Sequence, residues 1–473
     1  MKKRFLGVIL AIFVVLMLFP LITFANTTYT DWTDTTKLPT EEGAYKLTCD
    51  VTITSMVTVG AWSGKTTTVT LDLNGYRVNF NGTSAYYYVN NAGSLIIEDS
   101  VGTGLMTNAG ATNNQYIIYV KGNCQINGGI IENTLQNGQA LYINNGDNKQ
   151  ASCTLNEGVI KNSYDKSGRA VVVGNNATFI MNKGEIKNNA AGTNGTVPAI
   201  DGTQKTGKII ITGGTIESVG TGIKAANSKV EITGGTIEAD WFALETRYAT
   251  IEPAEDKTVN ISAGKAILNP YSMPSTGDGN KIIGGNFEAP ALTNNNANKN
   301  NIELYGGTYT NNNALMDLTD YLQDAIVDDK GTVTCSHTET YNEGAVDATC
   351  TLEGRSADII CSNCKKIVTE GTTIPLEEHT YGEWVIDKEA TCTEKGSRYK
   401  ECLCGDKETE EIEATGHSYE NGKCTACEEL DPNVENKKDE TPKTGSVDLV
   451  VMGCAIIAIL SVVGIVISKK YIR

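Results

Sequence analysis

Between about residues 45 and 315 the chain alternates apolar and polar positions in short runs, and glycine breaks each run before the next begins. Ile211-Thr212-Gly213-Gly214-Thr215-Ile216-Glu217 recurs as Ile232-Thr233-Gly234-Gly235-Thr236-Ile237-Glu238. Looser copies begin at Ile126, Leu155, Met181, Ile261, Ile283 and Leu304, and Leu71-Asp72-Leu73-Asn74-Gly75-Tyr76 fits the series. The marker glycines at 129, 158, 184, 214, 235, 264, 285 and 307 stand 21 to 30 residues apart. Each copy reads as a short strand, a corner and a second short strand, because glycine accepts the positive φ of a sharp corner. One such unit cannot bury its own apolar face, so the next must lie over it. Stacked units pair strand on strand in parallel, and parallel crossovers are right-handed. The pattern therefore predicts an all-β fold, a right-handed parallel β-helix of about ten coils, on the order of 50 Å long at the usual strand spacing. A β-sandwich array would need hairpin turns at closer intervals. The stretch from Asp317 to Val333, with Leu318, Tyr321, Leu322 and Ile326, is expected to close the end, since an exposed solenoid edge invites pairing.

The two ends carry a different pattern. A basic start, Met1-Lys2-Lys3-Arg4, leads into an apolar run to Ile22 and small residues ending at Ala25, the order of a secretory signal peptide cleaved after Ala25. A retained membrane anchor is the alternative for that run. At the other end Thr441-Pro442-Lys443-Thr444-Gly445 precedes an apolar run at 449–467, long enough to span a bilayer as a helix, and a basic tail, for which a plain single-span membrane protein is the alternative.

The chain has 473 residues, a formal charge of −17, 48 glycines, and only 8 Phe and 4 Trp. The acidic balance argues against nucleic acid and anionic membrane as partners. Of the 13 cysteines, nine fall between residues 335 and 427. Such clustering marks a separate module. All three histidines lie there too: His337 with Cys350 and Cys361-Ser362-Asn363-Cys364; His379 with Cys392 and Cys402-Leu403-Cys404; and His417 with Cys424-Thr425-Ala426-Cys427. These read as two repeats of about 40 residues and a truncated third. Cys-x-x-Cys presents two thiolates to a tetrahedral ion that a His and a further Cys complete, so the twelve residues suit three structural zinc sites. Cys335 is left for the truncated unit, and Cys402-Leu403-Cys404 is one residue short of the usual turn. Disulfides are the competing reading outside the cell. Either way the role is structural, because small repeats without large cores need staples.

The expected organisation is thus a signal peptide at 1–25, a β-helix with caps at 26–333, a Cys/His stalk at 334–427, a charged linker at 428–443, and a sorting segment at 441–473.

Three resemblances follow from these residues. The order of Thr441, Pro442, Lys443, Thr444 and Gly445, span and basic tail resembles the sortase sorting signal of Firmicute proteins, with Thr441 where that family has Leu. It implies cleavage after Thr444, attachment to peptidoglycan, and a cell-wall location on a Gram-positive bacterium. Asp72-Leu73-Asn74-Gly75-Tyr76, Ile97-Glu98-Asp99-Ser100 and the Ile-Thr-Gly-Gly-Thr-Ile-Glu copies resemble the pectate-lyase-like β-helix of such surface proteins. The Cys/His repeats resemble a module found just before wall anchors.

Members of the β-helix class that cleave polysaccharides need calcium on clustered carboxylates with an Arg or Lys base, or paired acids in a cleft. Arg77, Arg169 and Arg247 are the arginines of the repeat region, and none sits in a catalytic motif. The recurring acids Glu132, Glu217, Glu238 and Glu288 fall into a ladder, either a cation or substrate groove or a solvated row. Asp201, Asp240, Asp256 and Asp278 are placed in loops. Tyr86, Tyr87, Tyr88, Tyr116, Tyr119, Tyr142, Trp241 and Tyr248 are candidates for stacking on sugar rings, against the alternative of ordinary packing. Trp241 and Tyr248 are the ligand-binding positions this reading singles out. The function expected is wall-anchored display of a β-helix that binds a glycan or host-surface ligand. A wall-attached lyase or glycoside hydrolase, and an envelope component without ligand, are the alternatives.

Overall fold

The computed structural model describes residues 28–60, 65–111, 115–147, 149–203, 207–271, 279–293, 301–311, 314–322 and 324–434. The signal segment, Asp278, the sorting motif Thr441, Pro442, Lys443, Thr444 and Gly445, and the apolar run at 449–467 lie outside the described residues. Among the described residues no helix is long and apolar enough to cross a membrane. The chain divides into two compact units, 1–347 with 354–374, and 348–353 with 375–473.

The first unit is a parallel β-solenoid built as three ladders. The first ladder starts with Thr30–Trp32 on Gly43–Leu47 and continues through Thr67–Asp72 and Gly93–Glu98 to Ile302–Leu304. The second runs from Val51–Ile53 through Arg77–Phe80 and Leu105–Thr107 to Gly306–Asn311. The third runs from Val57–Val59 through Tyr87–Val89 and Tyr116–Val120 to Ala266–Leu268. Among the described residues about nine turns carry all three strands, one fewer than the glycine spacing suggests, and the strands described in the last turns belong to the first two ladders.

Alternation becomes a core because every second residue of each strand points inward. On the first ladder Leu71, Ile97, Ile126, Leu155, Met181, Ile211, Ile232, Ile251, Ile282 and Leu304 stack in register, and all are buried. On the second, Val78, Met106, Ile131, Ile160, Ile186, Ile216, Ile237 and Ile261 form a matching column, finished by Phe287 stacked on Tyr309 at 4.7 Å. The repeat Ile-Thr-Gly-Gly-Thr-Ile supplies one residue to each column, and its glycines make the corner between them. Gly214 has φ 83°, and a Cβ there would meet the Gly184 carbonyl at 2.7 Å. Each fully buried Ile or Leu is worth roughly 1.5–3 kcal/mol.

A third column is polar. Asn108 donates to Asn133 at 2.8 Å, Asn133 to Asn162 at 2.7 Å, and Asn162 to Asn188 at 2.8 Å, all buried. Side-chain amides satisfy one another at the corner after the second ladder, as buried polar groups require.

The solenoid ends antiparallel. Thr332–Cys335 pairs with Gly306–Asn311 and with Ala325–Val327, while Leu318 and Tyr321 are buried beneath. The unit also holds a small antiparallel sheet of Thr340–Glu343, Asp358–Cys361 and Ile367–Thr369. The second unit has an antiparallel sheet of Val385–Lys388, Gly396–Glu401 and Lys407–Ile412 and a hairpin of Tyr419–Glu420 with Lys423–Cys424. Its buried apolar residues, among those described, are Ala348, Cys392, Cys402 and Cys424. So small a core cannot hold a fold without cross-links.

Candidate metal centres and a tyrosine platform

The twelve cysteine and histidine residues form three groups of four, each with its ligand atoms within 4.8 Å of one another: Cys335, His337, Cys361 and Cys364; Cys350, His379, Cys402 and Cys404; Cys392, His417, Cys424 and Cys427. Each group is three thiols and one imidazole, a donor set suited to a metal ion.

The distances suit ligands that share one metal ion. The Sγ atoms of Cys335 and Cys361 are 3.6 Å apart, and those of Cys350 and Cys402, and of Cys392 and Cys424, 3.7 Å. In each group the His Nδ1 faces a cysteine Sγ at 3.3 to 3.4 Å. Four ligands about 2.0–2.3 Å from one tetrahedral ion stand about 3.5–3.8 Å from each other, whereas bonded sulfurs are ~2 Å apart.

The backbone builds the sites locally. The Lys365 N–H donates to the Cys361 carbonyl at 3.1 Å, and Glu428 repeats this on Cys424 at 3.0 Å, with both donors at positive φ. The shorter Cys402-Leu403-Cys404 pair closes its turn one residue earlier: Gly405, at φ 90°, donates to Cys402 at 2.8 Å. The missing residue is absorbed by glycine, and both thiols still reach the site.

The same turns polarise one thiol per site. Backbone N–H donors from Ala426 and Cys427 bring the Cys424 thiol down to about 5. The N–H of Cys404 and the His379 ring bring Cys402 down to about 6. Burial opposes the shift at Cys361, but the Cys364 N–H and the His337 ring still bring it down to about 6. Hydrogen bonds to a thiolate favour the charged form. A bound dication would complete the deprotonation of the other thiols.

The grouping corrects the register read from sequence. Cys335 belongs with the first histidine, not the truncated unit, because its strand pairs with Gly306–Asn311 and brings its thiol to Cys361; there it packs with Tyr305. Cys350 moves to the second group and Cys392 to the third. The order lone Cys, His, Cys pair holds throughout and leaves no cysteine over, which is the signal the sequence contained. Sequence reasoning also missed the acids behind the ligands. Glu429 stands 3.3 Å from His417 Nε2, whose Nδ1 faces the site. Asp324 accepts from Thr338 N–H and Asn363, both at 3.2 Å, and so ties the two arms of the first site. Such outer groups fix ligand orientation.

On the third ladder a different cluster forms. Tyr88, Tyr119 and Tyr142 stack in register on the outer side of successive turns, with Tyr86 and Tyr116 beside them. Tyr116 and Tyr142 stack at 4.9 Å, and Tyr88, Tyr119 and Tyr142 meet edge to face at 5.2 and 4.9 Å. The same outer column continues as Val172, Asp201, Lys224 and Glu245, so elsewhere it is largely charged. Tyr87 alternates inward, is fully buried, and donates to the Pro39 carbonyl.

Trp241 and Tyr248 do not join this platform. Trp241 packs on Gly195, where a Cβ would lie 1.9 Å from its Cγ, and Lys265 Nζ stands 4.4 Å from its ring centroid. Tyr248 pairs in register with Lys229 on the first ladder.

The acids are also placed. Glu132, Lys161, Lys187, Glu217, Glu238, Ser262 and Glu288 form one outer column within strands, with Lys161 paired to Glu132 at 2.9 Å and Lys187 to Glu217 at 3.4 Å. An open groove of about 610 Å³ runs along Lys187, Glu217, Glu238, Asp240 and Glu288. Asp201 is not in a loop; it ends Pro198–Asp201 and pairs with Arg169 at 2.6 Å. Arg247 bonds Asn227 at 2.9 Å, and Arg77 is exposed. Among the described residues the Cys/His groups are the sets that gather three metal-ligating side chains closely, and no set of carboxylates does. Asp72 and Asp99 instead accept backbone N–H groups from Asn74, Ser100, Gly75 and Gly104, so the Asp72-to-Tyr76 motif builds a corner.

The chain matches no family model, no curated protein and no solved structure.

Proposed function

We propose that the chain is an exported, wall-anchored surface protein whose solenoid binds a glycan through the tyrosine platform and whose Cys/His module is a zinc-stapled stalk. The platform carries this reading. Four partly exposed phenol rings, Tyr86, Tyr116, Tyr119 and Tyr142, packed around the buried Tyr88 on neighbouring turns, offer apolar faces with polar rims, which suits the alternating C–H and hydroxyl surfaces of sugar rings. Clustering of these rings on an outer column that is elsewhere largely charged supports an interaction site. The net charge of −17 disfavours nucleic acid, the other ligand that stacks on aromatic rings.

A donor set of three thiols and one imidazole supports structural zinc, which takes four protein ligands where catalytic zinc keeps one position open. The terminal sequence pattern supports export and sortase-mediated attachment to peptidoglycan.

The test incubates the purified chain with a panel of acidic and neutral polysaccharides, with and without calcium. Retention of a glycan without new chain ends is the expected result. Protein-dependent new chain ends would replace the binding reading with a lyase or hydrolase, and neither retention nor cleavage would leave a structural envelope component.

A further inference from the structure

Read along the chain from Cys335 to Cys427, the ligands belong to the sites in the order first, first, second, first, first, second, third, second, second, third, third, third. The first site closes residues 335–364, the second 350–404 and the third 392–427. These spans overlap. Cys350 of the second site lies inside the loop closed by the first, and Cys392 of the third lies inside the loop closed by the second. With a metal at each site, every peptide bond between Cys335 and Cys427 would fall within at least one closed loop.

We infer that the module is a nick-tolerant tether: cleavage of any one peptide bond between Cys335 and Cys427 leaves the solenoid attached while the metals are bound, and a chelator then releases it. The inference rests on the metal reading above. It goes beyond it because independent metal beads of the same ligands would be severed by one cut between them.

The chain path supports the same point. The segment 348–353 belongs to the second compact unit although the chain on both sides of it, to 347 and from 354 to 374, belongs to the first. A cut between Ile374 and Pro375 leaves Cys350 on the solenoid side, while its partners His379, Cys402 and Cys404 lie on the anchor side. That neighbourhood is where proteolysis is expected: residues from 365 to 391 are almost all exposed, and exposed segments are the usual sites of nicking. Metal-binding free energy in such a module is also folding free energy, so removing the ions removes the tie and the local fold together. The device makes retention of the displayed solenoid depend on divalent metal rather than on an unbroken backbone.

The test uses the full chain, immobilised at its C-terminus, with a reporter at the N-terminus and a site-specific protease sequence inserted between Ile374 and Pro375. Metal content is first measured on the uncut chain. After cleavage in zinc-containing buffer the reporter is expected to stay bound, and EDTA is expected to raise its release by at least about tenfold. The same insertion combined with Cys350→Ser should release the reporter in zinc as freely as in EDTA. A control insertion between Pro432 and Asn433, outside all three loops, should release it whether or not metal is present. Release in zinc from a chain shown to hold three ions would overturn the tether alone. Equal retention with Cys350→Ser would overturn it too, by assigning the hold to packing. An uncut chain without metal would overturn the metal reading and the tether with it.

Discussion

The Sγ of Cys350 lies 3.7 Å from that of Cys402, 52 residues further along the chain. His337, only thirteen positions before Cys350, belongs to a different site. This separates two ways of grouping the same twelve residues. Cys350→Ser should lower the bound metal from three ions to two and leave the Cys335, His337, Cys361 and Cys364 site filled. Cys361→Ser with Cys364→Ser should empty that first site. Native mass spectrometry counts the ions, and equal metal content in the wild type and the double variant would remove metal from the account.

The asparagine column gives a stability prediction. Asn162 accepts from Asn133 and donates to Asn188 at the centre of the buried ladder. Asn162→Leu removes both bonds together with the donation to the Tyr164 carbonyl at 3.0 Å, and takes partners from one amide N–H and two carbonyl oxygens. Each orphaned group costs about 1–3 kcal/mol. Chemical denaturation should show a loss of that order, and a change below about 0.5 kcal/mol would contradict the ladder's role.

The platform should respond to alkali. Burial, then the neighbouring phenols Tyr119 and Tyr116, push Tyr142 up to about 12, above the ordinary value near 10. The phenol is raised on folding, so its contribution is fully present below about pH 10 and is lost as pH rises through about 12. Phenolate absorbance should show Tyr142 titrating late, and Tyr142→Phe should flatten the decline of solenoid stability between those values. A Tyr142 that titrates near pH 10 would mean the rings do not pack as described.

Much of the solenoid is legible before folding because a repeat states its geometry many times. Ile211 and Ile216 alternate across one Gly-Gly corner, and that alone gives strand, corner and inward face. The turn count was less legible, since glycine marks corners and not whether the third strand forms. The metal residues were readable as types, but their partnership was not, because spacing along the chain is silent about which loop crosses which. Cys335 is set by a strand pairing with Gly306–Asn311, a long-range fact. Aromatic residues posed the same difficulty. Trp241 and Tyr248 are sugar-stacking candidates by type, and Trp241 packs one face on Gly195, whereas in-register placement on successive turns, which local sequence does not give, brings Tyr88, Tyr119 and Tyr142 together.

The most direct test of the glycan-binding account is retention of a panel-identified polysaccharide by the wild type, by Tyr119→Ala/Tyr142→Ala, and by Trp241→Ala. The double variant should lose at least about tenfold in affinity, roughly 1.4 kcal/mol, with the solenoid still folded by circular dichroism. Trp241→Ala should bind as the wild type does. Unchanged retention by the double variant, or loss confined to Trp241→Ala, would contradict the platform as the binding surface.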